Sequence, residues 1–398
     1  MKRGALSILF VYVVIELLGM SLILPLLPYY ARSFSASALL VGLLGTSNAL
    51  AQVLGAPLIG RLSDRFGRRP LILVGALATA AGFVMLGFAR LLWLMFASRI
   101  LDGLLGGNVA LAQAYITDVT DEKARAKSLG IIGAAFGIGF VIGPAAGGFL
   151  SRWGVAVPAF AAAGLALLNF VWVLAALPES LTPERRTELA VNPRPPVTAA
   201  ALLGELRRPV VGPLLTSRLF YALAFGIFQS SFALWAAARL RLEVQQTAYV
   251  LAYVGVLSVL VQGVAIGPLT RRFSERTLII AGLPVLGASL LAWAFVPNVA
   301  LLLAVLAPMA LSAGVLNVAL TSSLTKAVAR DDVGGTLGLA ASLQALTGIA
   351  APAIGGLLLQ QVGPWSLGAL GALILAGLAA FAARTIRAPV PSAAAPGA

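Results

Sequence analysis

The chain has 398 residues, of which 60% are hydrophobic and 11% charged, with 28 Lys and Arg against 14 Asp and Glu and a formal charge of +14. Its mean hydropathy of +0.97 excludes a water-soluble globule, and the absence of period-two alternation excludes a membrane barrel. It contains no Cys and no His, which excludes thiol chemistry, disulfides, histidine metal sites and a histidine proton relay, so a proton carried through this protein must ride on a carboxylate.

About 20 apolar residues cross the hydrocarbon core of a bilayer as a helix, and twelve such runs follow one another. They lie at roughly 5–30, 38–60, 70–89, 91–116, 127–150, 155–177, 212–236, 245–269, 277–296, 298–322, 335–360 and 364–384. The first begins almost at Met1 and lacks a small-residue cleavage site, so it reads as a retained span. The pattern predicts an all-α polytopic membrane protein with twelve transmembrane helices. With the amino terminus inside, 21 of the 28 basic residues fall in cytoplasmic segments. Five fall in outer loops (Arg32, Arg90, Arg152, Arg239 and Arg241) and two, Arg99 and Arg218, within spans. That bias is the positive-inside rule and predicts that both termini are cytoplasmic. The basic residues therefore mark topology, not a nucleic-acid surface.

Residues 178–211 form the longest polar interruption, rich in Pro and charge, and read as a cytoplasmic linker. They separate an amino-terminal six-helix bundle, 1–177, from a carboxy-terminal one, 212–386, followed by a disordered tail, 387–398. The halves echo each other. GRLSDRFGRRPLIL from Gly60 returns as GPLTRRFSERTLII from Gly267, at an offset of 207. IGPAAGGFL from Ile142 returns as AAPAIGGLL from Ala350, at 208, and the Asn-Val-Ala-Leu at 108 returns at 317, at 209. Duplicated six-span halves are a transporter plan, with the substrate site near the bilayer midplane between the repeats. Nothing in the sequence suggests an enzyme.

GRLSDRFGRRP resembles the span 2–3 loop signature of the major facilitator superfamily, G-x-L-x-D-R-x-G-R-[RK]. It matches at Gly60, Leu62, Asp64, Arg65, Gly67, Arg68 and Arg69, and the resemblance extends over the whole chain. The arginines hold the loop inside, whereas a lone acid adds nothing to topology. The resemblance implies a conformational latch, in which Asp64 engages the start of span 11 near Gly334, Gly335 and Thr336 in the outward-facing state. The second copy has Arg271 in place of Asp64, so the latch is expected on one side only. A solvated turn with a satisfied Asp is the alternative.

In span 5 the run GIIGAAFGIGFVIGPAAGGFL from Gly130 contains Gly139, Gly143, Pro144, Gly147 and Gly148. Small residues at this spacing permit close helix crossing. The same G-x-x-x-G-P-x-x-G-G resembles the motif of the twelve-span drug:proton antiporter group. In span 4, Arg99 and Gly103 resemble that group's span-4 signature, and AYITDVTDEKARAKSLG resembles the tetracycline-exporter-like branch.

Only two of the 14 acids, Glu16 and Asp102, fall within spans, and intramembrane charges are functional candidates by default. Burial favours the neutral form of a carboxyl and a nearby cation the charged form, so such a group can bind and release a proton as its surroundings change. Glu16 sits where the antiporter group commonly has an acid. It is expected to be the main coupling carboxylate, with Arg99 and Asp102, three apart on one helix face, as its partners. A static Arg–Asp pair beside a cavity-lining Glu is the other reading. Arg218, early in span 7, is expected to snorkel to the surface, or else to hold an anionic substrate.

The resemblance implies that spans 1, 4, 7 and 10 line a central cavity. Its candidates are Tyr12, Asn108, Gln113, Arg218, Tyr221, Phe225, Gln229 and Asn317, with Gln344 from a neighbouring span. A mostly apolar wall with a few polar groups suits drug-like molecules. The expected function is proton-coupled efflux of a small amphipathic or lipophilic compound by alternating access, multidrug or tetracycline-like, from a bacterial cytoplasmic membrane. Protons are the coupling ion and no cofactor or metal is expected. The expected partners are a small-molecule substrate and membrane lipids, with no nucleic acid, and the chain is expected to act as a monomer. Export of an endogenous metabolite or lipid, or an uncoupled facilitator or scramblase, remains open at this level.

Overall fold

The structure, a computed structural model, describes residues 2–120, 122–191, 204–328 and 332–386. The expected tail and the middle of the linker lie outside the described residues. Among these residues there is no strand, and twelve helices are long and apolar enough to cross a membrane. In chain order, spans 1 to 6 are Gly4–Arg32, Ala38–Phe66, Arg68–Gly87, Leu92–Val119, Ile132–Trp153 and Val157–Ala176. Spans 7 to 12 are Val211–Arg239, Val244–Arg272, Glu275–Phe295, Val299–Lys326, Gly335–Gln361 and Trp365–Thr385. Lipid cannot hydrogen-bond to backbone, so each crossing segment closes its own ladder as a helix. The described part of the linker carries the helix Pro183–Val191.

Two departures from unbroken helix matter for the site. Span 4, expected to be continuous over 91–116, is two helices, Leu92–Leu105 and Asn108–Val119. Gly106 and Gly107 leave helical geometry between them, with ψ near 28° and 27°. Adjacent glycines lower the cost of leaving the helix. Span 8 contains a π turn at Val261–Ala265, a feature that often accompanies functional sites.

The halves meet along two seams, span 2 on span 11 and span 5 on span 8. Glycines set both. Gly139, Gly143 and Gly147 recur every four residues on one face of span 5 and abut span 1. A Cβ on Gly139 would stand 2.9 Å from Leu17, one on Gly143 would collide with the Ser21 hydroxyl, and one on Gly147 with the Leu22 carbonyl oxygen. Ser21 Oγ donates to the Gly139 carbonyl at 2.7 Å. Gly148, one position on, faces span 8, where a Cβ would stand 2.6 Å from Ala248. At the corresponding places in the second half, Gly355 abuts Ser231 of span 7 and Gly356 abuts Ala38 of span 2. The pseudo-twofold seen in the sequence repeats is thus a repeat of contacts. The motif glycines are close-approach positions, and Pro144 lies inside the same helix. Gly143→Ala is expected to cost about 1–3 kcal/mol by overpacking, read as a lower unfolding temperature in detergent, and Ser21→Gly in the same chain is expected to recover part of it.

The bundle has a face where span 1 begins and span 12 ends, the termini face, and an opposite, far face. At the far face the halves are clasped. Tyr29 Oη lies 2.8 Å from the Leu242 carbonyl oxygen and 2.6 Å from Thr247 Oγ1. Gln360 Oε1 accepts from the Leu39 N–H at 3.2 Å, and Thr46 Oγ1 donates to the Ile349 carbonyl at 2.8 Å. Close packing along the seams continues as far as Ala49 against Gly348 and Gly137 against Val259. Nearer the termini face, a Cβ on Gly60, Gly335 or Gly338 would meet nothing within 4 Å. The halves close at the far face and part toward the termini face.

Candidate functional site

A hydrogen-bonded chain of side chains runs through the interior of the first half. Asn108 opens the second helix of span 4. Its Nδ2 donates to Glu16 Oε1 at 2.7 Å and lies 3.3 Å from Thr79 Oγ1. The Thr79 hydroxyl in turn donates to Asp102 Oδ1 at 3.3 Å. Asp102 Oδ2 accepts from Asn48 Nδ2 at 3.3 Å and lies 3.6 Å from Arg99 Nη1. Asn48 also donates to the Arg99 carbonyl at 2.8 Å. Spans 1, 2, 3 and 4 therefore each give one or more members, and the two intramembrane acids are joined through Asn108 and Thr79.

The break in span 4 makes this possible. Each helical residue advances about 100°, so the interruption at Gly106 and Gly107 resets the face on which Asn108 emerges. Two glycines on neighbouring helices make the room: a Cβ on Gly75 would collide with Asn108 Oδ1, and one on Gly55 with the Leu104 carbonyl oxygen. Arg99 is fixed tightly. It is buried, its guanidinium lies 5.3 Å from the Phe83 ring centroid, and its Nη2 donates to Ser98 Oγ at 3.1 Å.

Not every atom here is matched. Glu16 Oε2, Asn108 Oδ1, Tyr12 Oη and Asn169 Oδ1 are buried without a hydrogen-bond partner. Tyr12 stands one helical turn before Glu16, and Asn169 Nδ2 donates to the Tyr12 carbonyl at 3.0 Å. A buried carboxylate oxygen with no donor is costly in its charged form. A proton there would convert it into a donor among unfilled acceptors.

The direct partner of Glu16 is thus Asn108, not the expected Arg99 and Asp102, which pair with each other. Thr79, Asn48 and Asn169 complete the arrangement. Thr79 and Asn169 are single polar residues in strongly apolar helices, the signal by which the sequence could have shown them.

At the termini face the GRLSDRFGRRP stretch forms a second cluster. Gly67 has φ 106°, a left-handed conformation that glycine adopts at no steric cost. A Cβ there would also strike the Glu179 carboxylate. Glu179 Oε1 accepts from the Arg68 N–H at 2.9 Å and Oε2 from the Arg69 N–H at 3.2 Å, capping span 3. Arg68 is buried. Its Nη2 lies 2.6 Å from Asp64 Oδ1, its Nε donates to Asp118 Oδ2 at 3.0 Å, and its Nη1 donates to Ser63. Arg69 Nη2 donates to the Leu174 carbonyl at 2.7 Å, and Arg65 lies over Phe66, 5.3 Å from its centroid. Asp64 is therefore ion-paired within its own half in this conformation.

The second half carries the same clasp with its charges exchanged. Glu275, at the Arg68 position, pairs with Lys326, one residue before the position equivalent to Asp118.

The cavity candidates divide. Gln113, Gln229, Asn317 and Gln344 are exposed and Phe225 is half-buried. Tyr12, Asn108 and Tyr221 are buried, because each is absorbed into the packing of its own half. Tyr221 Oη donates to the Ala313 carbonyl at 2.9 Å and its ring stacks on Phe225 at 6.1 Å. Arg218 does not snorkel. Its Nη1 donates to Thr321 Oγ1 at 2.7 Å and its Nη2 to Gln344 Oε1 at 3.3 Å, joining spans 7, 10 and 11.

The family model described as Major Facilitator Superfamily matches residues 9–265 and 214–398. The tetracycline resistance protein, class C, of Escherichia coli is 34% identical over 360 residues, covering 89% of each chain. Solute carrier family 22 member 18 of Mus musculus is 30% identical, covering 91% of each, and multidrug resistance protein 2 of Bacillus subtilis (strain 168) is 28% identical, covering 90% of this chain and 89% of that one. Among solved structures, the human organic anion transporter MFSD10 superposes with a TM-score of 0.71 at 22% identity, over 96% of this chain and 99% of that one. With the family model spanning nearly the whole length and twelve spans in two matching halves, this chain belongs to the Major Facilitator Superfamily, in the company of tetracycline-exporter-like sequences.

Proposed function

We propose that the protein is a proton-coupled exporter of small amphipathic or lipophilic compounds, of multidrug or tetracycline-like range, working by alternating access as a monomer in a bacterial cytoplasmic membrane with both termini inside. The observation that carries this reading is Glu16, an intramembrane carboxyl with one oxygen bound by Asn108 and the other buried and unpartnered. Such a group has a reason to exchange a proton when its access changes. In this reading the proton reaches Glu16 from outside, and the shift is passed through Asn108 and Thr79 to the Asp102–Arg99 pair. The substrate enters from the termini face between the halves, past the exposed amides of Gln113, Gln229 and Asn317. The names of the relatives from Escherichia coli and Bacillus subtilis favour a drug-like substrate over a metabolite.

The test is substrate movement in proteoliposomes with and without an imposed pH gradient, with a tetracycline and ethidium as first substrates. Accumulation against a gradient that vanishes when the pH gradient is collapsed is expected. Equal flux in both conditions would make the protein a facilitator.

The latch is a separate expectation. When the termini face closes, Asp64 is brought toward the start of span 11, where a carboxylate near a helix amino terminus gains about 0.3–1 kcal/mol. That gain biases a two-state equilibrium without freezing it. Asp64→Asn is expected to impair transport and leave expression intact. Unchanged transport would show that Asp64 serves only its own half.

A further inference from the structure

At the far face, on the seam between the halves, lies a cleft of about 530 Å³. Its walls carry three arginines: Arg32 at the end of span 1, Arg152 at the end of span 5, and Arg241 between spans 7 and 8. The first two belong to one half and the third to the other. Outer loops of a membrane protein tend to be poor in arginine. This chain keeps five by the topology inferred above, and three of them line one cleft.

Among the described residues none of the three forms an ion pair. Arg152 is half engaged. With the Gln245 amide turned so that its oxygen faces the guanidinium, Gln245 accepts from Nε at 2.9 Å and Nη2 at 2.8 Å, which leaves Nη1 free. Glu243 also lines the cleft. It caps span 8, where its N–H donates to Gln246 Oε1 at 3.1 Å, so one carboxylate stands against three guanidinium groups. Arg241 has φ 54°, in the left-handed region that L-residues other than Asn and Asp seldom occupy and that structures hold at a cost, often at ligand clamps. The Tyr29 hydrogen bonds that clasp the halves border the same cleft.

We propose that this cleft binds a phosphate-bearing anion, from a lipid headgroup or from free phosphate, which bridges the two halves and holds the far face closed. Guanidinium forks match phosphate oxygens two at a time, and three of them exceed what one carboxylate ligand could satisfy. The cleft is larger than inorganic phosphate and lies at the ends of the spans, where headgroups sit. The bridging role rests on the alternating-access reading, since the far face must open for the anion to matter. An occupied cleft favours the conformation seen here and must be vacated, or pulled apart, before the outer side opens.

Because the chain has no cysteine, Ser33→Cys with Ala238→Cys gives a labelled pair across the seam for distance measurement. The double variant is placed in nanodiscs of phosphatidylcholine alone, of phosphatidylcholine with inorganic phosphate added, and of phosphatidylcholine with phosphatidylglycerol. Phosphate binding is titrated calorimetrically on the same samples. The closed far-face population is expected to rise with phosphate, with phosphatidylglycerol, or with both, which separates the two sources. Arg241→Gln and Arg32→Gln are each expected to weaken binding roughly tenfold, equivalent to about 1.4 kcal/mol. Arg90→Gln, an outer-loop change away from the cleft, is expected to leave it unchanged. No heat of binding and no population change in either lipid would overturn the site. Arginine-dependent binding with a far-face distance that never changes would keep the site but remove alternating access as its consequence.

Discussion

Glu16→Gln is expected to abolish gradient-driven transport, bringing it to the level of protein-free liposomes, while the protein folds normally and still binds substrate. Gln matches Glu in shape, and its carbonyl oxygen can keep the 2.7 Å bond from Asn108 Nδ2. The other oxygen, buried and unpartnered in the wild type, becomes an amide able to donate to the empty acceptors of Asn108 or Asn169. The variant therefore imitates a permanently protonated carboxyl, and packing has no reason to suffer. Asp102→Asn is not a comparable control. It leaves Arg99, a buried guanidinium, without its counter-charge, and breaking such a pair destabilises far more than the pair itself stabilises. Transport lost in Glu16→Gln with an unaltered unfolding temperature identifies the coupling carboxyl. Gradient-driven transport retained in it would pass that role to Asp102, which Thr79 and Asn108 connect to the same site.

How much of this was legible in advance follows from the physics of each feature. Twelve spans and their pairing into halves were readable because a bilayer demands long apolar runs and because the repeats kept their spacing. Gly139, Gly143 and Gly147 were readable as a close crossing because spacing by four places residues on one face. Which helix they crossed was not, since nothing local in span 5 names span 1. The break at Gly106 and Gly107 was hidden inside a stretch long enough to read as one continuous span, and with it the turn that aims Asn108 at Glu16. Thr79 and Asn169 were missed for the opposite reason: weakly polar and uncharged, they gain importance only from the neighbours the fold brings to them. Arg218 was misplaced because distance from a helix end says how near the surface a side chain is, not that Thr321 and Gln344 stand within its reach.

The same reasoning separates two clasps that look alike, and gives the second large effect. Arg68→Met is expected to destabilise the first half by about 3–5 kcal/mol, because it strands Asp64 and Asp118 beside a buried position. Arg68 is 2% exposed and engages three side chains at once, so Arg68→Lys is expected to recover little. An ammonium lacks the planar fork that reaches two carboxylates and a hydroxyl together. In the second half Glu275 and Lys326 hold the same two helix ends, but Lys326 is 66% exposed. Exposed pairs contribute about 0–1 kcal/mol, so Lys326→Met is expected to change the unfolding temperature hardly at all. The comparison also tests why Arg68 matters. If the loss comes from unpaired acids, adding Asp64→Asn and Asp118→Asn to Arg68→Met will restore most of the unfolding temperature. If instead the guanidinium is needed as packing volume between spans 3 and 4, the triple variant will remain as unstable as the single one. Restored stability without restored transport would assign the buried cluster a part in switching, beyond holding the loop together.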